Sequence, residues 1–238
     1  MRWSSARGSI APIMSEPRER ERCDATQGRL IALEGIDGAG TTTQARRLVD
    51  RLIAAKERAI LTREPSDGPI GLLIRQVLTG RVVTRTGNGE TAPFDSASVA
   101  LLFAADRLDH IHAEIEPALE RGVHVVSDRY VLSSLAYQSL DNEIEWVRSI
   151  NSRARYPDLT LLLDVTAEEA LSRRAATRTL EERFEQMEMQ RRVAGAYTEL
   201  ANEDSSRGRV LTVDGMASVD EVEEELWKAV SELLIDSP

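Results

Sequence analysis

The sequence predicts a three-layer α/β fold, a five-stranded parallel sheet with helices on both faces. Three observations predict it. Strand-like and helix-like stretches alternate from Arg29 onward, the pattern of stacked βαβ units. The run Leu159 to Val165 is almost continuously apolar, as expected of a strand covered on both sheet faces. A glycine-rich segment, Gly35 to Thr43, sits between a strand-like and a helix-like stretch. With 238 residues, 42% of them hydrophobic, the chain fills one such domain and is short for two.

Leu30 to Leu33 reads as the first strand, and Thr42 to Ala55 as a helix with Leu48, Leu52 and Ala55 in period. Ala59 to Thr62 is the second strand. Pro69 to Leu78 is an amphipathic helix, with proline at its start, Gly80 after its end, and Ile70, Leu73, Ile74 and Val77 as its buried stripe. Arg81 to Pro93, with Gly87, Asn88 and Gly89, reads as a loop. Asp95 or Ser96 caps a long helix that Pro117 kinks and Gly122 closes. Val123 to Val126 and Leu159 to Val165 are strands, Ala167 to Ala176 a helix, Val210 to Val213 the last strand, and Val219 to Leu234 a closing helix.

Composition narrows the function classes. A net charge of -10 opposes nucleic-acid binding. No apolar run reaches the ~20 residues of a membrane helix. Cys23 is the lone cysteine, so an internal disulfide is excluded, which fits a cytoplasmic location. Residues 1–28 lack apolar periodicity and read as a disordered extension, with a transit peptide or an early-assigned start ahead of Met14 as alternatives. His110, His112 and His124 have no metal-ligand spacing and read as surface or helix residues.

Gly35-Ile36-Asp37-Gly38-Ala39-Gly40-Thr41-Thr42-Thr43 follows a strand and opens a helix, the setting of the phosphate loop in a P-loop NTPase fold. Its glycines let backbone N–H groups surround phosphate oxygens, and the helix N-terminus adds positive potential. Thr42 stands where a hydroxyl would coordinate Mg²⁺. Thr41 occupies the position at which the motif has lysine. Losing that charged donor could cost ~3 kcal/mol, on the order of a hundredfold in rate.

Further motifs accompany the loop. Thr62-Arg63-Glu64-Pro65 follows the second strand, and Leu101-Leu102-Phe103-Ala104-Ala105-Asp106-Arg107 lies in the long helix. Asp128-Arg129-Tyr130, Ser133-Ser134 and Ala136-Tyr137-Gln138 follow the third strand. Pro157-Asp158-Leu159-Thr160 and Leu163-Asp164-Val165 frame the fourth, and Glu182-Arg183-Phe184-Glu185 comes later. In this order and spacing the motifs resemble the thymidylate kinase family across Arg29 to Pro238.

The resemblance implies phosphoryl transfer from ATP to dTMP with Mg²⁺, in a homodimer packed through the long helices. It implies ATP on residues 35–43, metal at Thr42 and Asp128, and a lid over about 166–190. It assigns the acceptor to Asp37, Arg63, Phe103, Arg107, Arg129, Ser134, Tyr137 and Gln138. Chemistry agrees in part. A guanidinium at the end of the second strand can grip a phosphate bidentately. Phe103 and Arg107, four apart, share a helix face, although on chemistry alone Phe103 is ordinary core packing and Arg107 a solvated partner of Asp106 or Asp109. Asp128 at a strand end is a metal ligand or half of a structural pair with Arg129. Asp37 would repel phosphate, and the resemblance turns it to the acceptor's 3′-hydroxyl.

Because the loop itself has no arginine, the resemblance takes the catalytic arginine from the lid, where Arg173, Arg174, Arg178 and Arg183 cluster. Arg178 and Arg183 are the candidates beside Arg129 and Asp128, and a lid arginine is also the expected replacement for the missing lysine. Two rivals follow: a kinase for another nucleoside monophosphate, and a nucleotide-binding relative without catalysis, which Thr41 favours.

Overall fold

The computed structural model describes residues 27–173, 180–203 and 209–235, with residues 180–184 described by their backbone alone. Strands β1 (Leu30–Gly35), β2 (Ala59–Arg63), β5 (His124–Asp128), β6 (Leu159–Asp164) and β7 (Arg209–Asp214) form a parallel sheet in the order β2-β5-β1-β6-β7. Successive side chains of a strand point to opposite faces, and β1 supplies both cores. Ile31 and Leu33 pack with α1 (Thr41–Ala54), α8 (Leu180–Glu203) and α9 (Val219–Ile235). Leu30 and Ala32 pack with Ile115, Leu119, Tyr130 and Val147 on the other face. With both faces covered, each of these four β1 side chains is fully buried, which accounts for the unbroken apolar runs.

Several sequence expectations hold to within a residue or two, and α2 (Pro69–Leu78) holds at both ends. Its buried stripe is corrected. Leu73 is exposed, and Gly71 faces inward, where a Cβ would lie 2.0 Å from the Ser66 carbonyl oxygen. The close approach of that loop turns the helix so that glycine, not leucine, makes the contact. The expected loop after α2 contains a small antiparallel hairpin, β3 (Thr84–Arg85) and β4 (Thr91–Ala92).

Asp95 caps α3 (Ser96–His110), its carboxylate accepting from Ser98 N at 3.0 Å. Helix α3 runs through a π-helical turn, Ile111–Ile115, into α4 (Glu116–Glu120). The proline without an N–H is therefore accommodated by a widened turn before it. Helix α5 spans Val131–Gln138, α6 Ile144–Ile150 and α7 Ala167–Arg173. The expected continuation of α7 to Ala176 and residues 1–26 lie outside the described residues. Gly28 belongs to the folded domain: its N–H donates to Leu119 O at 2.9 Å and its backbone lies against Val123.

Candidate active site

The C-terminal ends of β1, β2 and β5 converge, as parallel sheets gather their ligands. Gly38 and Gly40 have φ of 96° and 98°, the left-handed region glycine enters without penalty, so the segment from Gly35 to Gly40 can curl into the start of α1. Ile36, Ala39 and Thr41 are buried beneath the curl, while Thr42 and Thr43 are exposed. The Thr41 side chain thus anchors the first turn of α1. The Thr42 hydroxyl donates to Asp128 Oδ2, and the other carboxylate oxygen, Oδ1, is buried with no partner. A buried carboxylate oxygen is costly to leave unpaired, and hard oxygens of this kind suit Mg²⁺. Among the described residues no group of three His, Cys, Asp or Glu side chains gathers for a metal.

Arg129 occupies φ 73°, uncommon for a residue with a side chain. The conformation is held by its N–H on Leu33 O at 2.8 Å and by the Ser127 hydroxyl on its own carbonyl at 2.7 Å. The guanidinium donates to Gly35 O at 2.8 Å through Nη1 and to Asp37 Oδ1 at 2.7 Å through Nη2. Asp37 also accepts from the Tyr137 hydroxyl at 3.3 Å. Its carboxylate therefore turns away from the phosphate curl and toward Arg129. Burial opposes the Arg129 charge, but Tyr197, Tyr137, Asp37 and Glu34 around it outweigh this and hold its pKa above the ordinary arginine value. Burial pushes the Tyr137 hydroxyl up to about 12, with the Arg129 charge pulling the other way, so it remains a donor at neutral pH.

A cavity of about 690 Å³ opens beside these groups. Asp37, Phe103, Arg107, Arg129, Ser134, Tyr137 and Gln138 all line it, and Gln138 Oε1 is buried without a partner. Arg63 is the exception among the expected acceptor residues. It is exposed at the end of β2, where Nη2 donates to Asp67 Oδ1 at 2.7 Å. Arg107 is neither solvated nor paired with Asp106 or Asp109. It is buried, with Nε and Nη2 on Glu64 Oε2 at 2.9 and 2.7 Å, Nη1 on Asn151 Oδ1, and Nη2 on Ser134 Oγ at 2.9 Å. Asp106 is spent on Ser66, whose N–H and hydroxyl donate to it at 2.7 and 2.6 Å. Five N–H donors leave one Nη1 hydrogen of Arg107 beyond these contacts, and the ion pair with Glu64 fixes where it can point.

His110 ends α3, as read, whereas His124 is corrected to a strand position. His110 is buried, Nε2 lying 2.7 Å from Thr62 Oγ1 and Nδ1 3.3 Å from Glu64 Oε1. His124 is buried on β5, Nδ1 accepting from Arg29 N. Polar partners, including Glu114 one turn beyond His110 and others supplied by distant strands and helices, make both burials tolerable.

Arg178 lies outside the described residues, and Arg183 is described as a backbone position in α8. Arg173 reaches the phosphate curl itself: Nη1 donates to Ala39 O at 3.4 Å and Nη2 to Gly215 O at 3.0 Å. Helix α8 also meets the curl, Gln190 Oε1 accepting from Asp37 N at 3.1 Å. Sequence reasoning assigned no role to Glu64, Asn151, Gln190 or Tyr197. Glu64 stands inside the Thr62-Arg63-Glu64-Pro65 motif, whereas Asn151 at the C-cap of α6 and Gln190 and Tyr197 in α8 carry no local signal.

The family model described as thymidylate kinase matches residues 33–226. The chain is 40% identical over 210 residues to a probable thymidylate kinase of Pyrococcus abyssi, covering 88% of this chain and 98% of that protein. It is 44% identical over 177 residues to a probable thymidylate kinase of Thermococcus gammatolerans, covering 73% and 83%. It is 38% identical over 218 residues to a thymidylate kinase of Nitrobacter winogradskyi, covering 88% and 90%.

Proposed function

The chain belongs to the thymidylate kinase family, and from that premise we propose how its residues divide the work of moving a phosphoryl group onto dTMP. It is a nucleoside-monophosphate kinase that converts dTMP to dTDP by metal-dependent transfer from a nucleotide donor. We take the donor to be ATP and the metal to be Mg²⁺. The observation that carries this reading is the adjacency of two half-sites at the end of β1: the Thr42–Asp128 pair on one side of the curl and the Arg129–Asp37 pair on the cavity side.

In this division, backbone N–H groups of Gly35 to Thr43, with Ile36, Gly38, Ala39, Gly40 and Thr41 between them, cradle the donor phosphates. Thr42 and Asp128 would hold the Mg²⁺, which when bound would supply positive charge to offset that of the donor phosphates. Arg173, reaching from α7 to Ala39 and Gly215, steadies the donor side, and Arg178 and Arg183 of the lid supply charge to the transferred group. Arg129 and Arg63 grip the acceptor phosphate. Phe103 stacks on the thymine, Arg107 and Ser134 address its edge, and Gln138 adds a polar contact. Asp37 takes the 3′-hydroxyl, and Tyr137 crowds the 2′ position. Catalysis is positioning and charge stabilisation, without a covalent nucleophile.

A second copy is the proposed partner. Leu101, Ala105 and Leu108 form an exposed stripe along α3, with Leu72 and Leu73 exposed on neighbouring α2, an apolar face of the kind dimers cover. A single-copy mass in solution would overturn that part. No helix of the described residues is long and apolar enough to cross a membrane. A cytoplasmic location and the absence of nucleic-acid partners remain proposals, supported by the lone cysteine and the acidic charge.

The test is ADP release with ATP, Mg²⁺ and each of dTMP, dUMP, dGMP and UMP. Turnover selective for dTMP is the expected result. Nucleotide binding with no turnover on any acceptor would sink the proposal.

A further inference from the structure

Tyr197 of helix α8 enters the polar cluster beneath the phosphate curl. Its hydroxyl meets three groups at once: Glu34 Oε2 at 3.2 Å, Ser133 Oγ at 2.8 Å and Arg129 Nη1 at 3.3 Å. Its ring stands edge-on to Tyr137, centroids 6.2 Å apart and planes at 83°. Tyr137 in turn lies under the Arg129 guanidinium, 5.4 Å from its carbon. Tyr197 is 2% exposed and does not line the cavity, so it touches neither substrate. The hydroxyl has a polar job there: Glu34, fully buried at the end of β1, accepts from Tyr130 N, Ser133 N, the Ser133 hydroxyl and Tyr197.

We propose that Tyr197 is a positioning residue for the kinase reaction, its hydroxyl fixing the Arg129 guanidinium and its ring edge fixing Tyr137, so that α8 sets the geometry of the acceptor site. Arg129 Nη1 has two hydrogens and three acceptors, Gly35 O, Ser133 Oγ and Tyr197 Oη, and two of the three belong to the Ser133–Tyr197 pair. Nη2 is tied to Asp37, whose backbone N–H is tied to Gln190 on the same helix, two turns before Tyr197. Helix α8 therefore holds both ends of the Arg129–Asp37 pair, and it begins directly after residues 174–179, within the proposed lid. A shift of α8 would move the acceptor clamp and the phosphate curl together. This inference rests on the kinase reading, and wild-type turnover is the control that separates the two: without it the kinase reading fails first, and Tyr197 is then judged by dTMP affinity.

The two parts of the side chain are separable. Tyr197→Phe keeps the ring edge and removes the hydroxyl. It is expected to lower kcat/KM for dTMP about tenfold, through misplacement of Arg129, while leaving the preference for dTMP over its ribonucleotide counterpart intact. Tyr197→Leu removes both and is expected to erode that preference as well. In an Arg129→Lys background, Tyr197→Phe should cost less than twofold further, because the group it positions is gone. The same cycle read as dTMP affinity by calorimetry serves if the Arg129→Lys protein turns over too slowly. Equal losses from Tyr197→Phe in both backgrounds, or unchanged kcat/KM with only a lowered melting temperature, would show a packing residue and overturn the proposal.

Discussion

Arg129 and Asp37 form an ion pair of 2.7 Å across the mouth of the cavity, joining the residue after β5 to the phosphate curl after β1. The pair answers a puzzle in the sequence, a carboxylate placed within a phosphate-binding loop. The charge is neutralised by an arginine whose own backbone is held in an unusual conformation, φ 73°. Each residue orients the other.

Removing the carboxylate should therefore disturb the arginine. Asp37→Ala leaves Arg129 Nη2 without its acceptor and Tyr137 without its hydroxyl partner. Displacement of a substrate-gripping group by about an ångström costs on the order of a hundredfold in rate. The expected result is a loss of that size in kcat/KM for dTMP, with KM for ATP nearly unchanged. Steady-state kinetics with each substrate varied in turn checks it, and a loss confined to ATP would refute the assignment.

Glu64 and Arg107 make a different kind of pair. Both side chains are almost wholly buried, and Glu64 supplies two of the acceptor contacts that Arg107 makes. Breaking a buried pair from one side strands the other charge, typically at ~3–5 kcal/mol. Glu64→Ala is expected to lower folding stability by about that much in denaturant titration, and to weaken dTMP through a displaced Arg107. An unchanged midpoint would mean that water or Asn151 replaces the carboxylate.

The contrast between these pairs shows what was legible in the sequence. The parallel sheet, the phosphate curl and several residues of the cavity lining could be read because each rests on a local pattern: apolar runs, glycine spacing, and motifs beside strand ends. Leu73 was misjudged because helical period alone does not reveal that Gly71 must face the Ser66 carbonyl. The burial of His110 and Arg107 was not legible because their partner, Glu64, lies more than forty residues away and meets them only in the fold. Tyr197 and Gln190 had no local signal at all. Their meaning comes from where α8 docks, a tertiary fact.

Buried Glu34 gives the protein a pH signature. Burial, partly offset by hydrogen bonds from Ser133 and the Arg129 charge, raises its pKa above the ordinary 4.5. The folded state therefore holds this proton to higher pH than the unfolded chain does. Its stabilising contribution is fully present below about pH 4.5 and is lost as pH rises through the folded value. Glu34→Gln, which mimics the protonated side chain, should remove that loss. The stability difference between variant and wild type should shift in favour of the variant as pH rises from 4.5. Denaturant midpoints for both proteins across that range decide it, and parallel pH profiles would show that Glu34 is not the group responsible.

Thr41 is the residue at which this chain departs from the phosphate-loop motif, and its side chain is 6% exposed at the first turn of α1. Two guanidinium groups, Arg129 and Arg173, already touch the curl through Gly35 O and Ala39 O. Neither reaches the loop from position 41, so a lysine introduced there adds a charge rather than duplicating one. The helix begins at residue 41, and a lysine stem can follow the buried threonine path before carrying its ammonium outward. Thr41→Lys is expected to raise kcat on the order of tenfold, since one charged donor to a developing phosphoryl charge is worth a few kcal/mol and the existing arginines offset part of it. KM for dTMP should change little, because the lysine would act on the donor side. Comparing kcat for wild type, Thr41→Lys, Arg173→Ala and the double variant tests this directly. If lysine rescues the Arg173→Ala protein, the arginine has been supplying the missing charge. If lysine leaves kcat unchanged in both backgrounds, position 41 no longer takes part in catalysis.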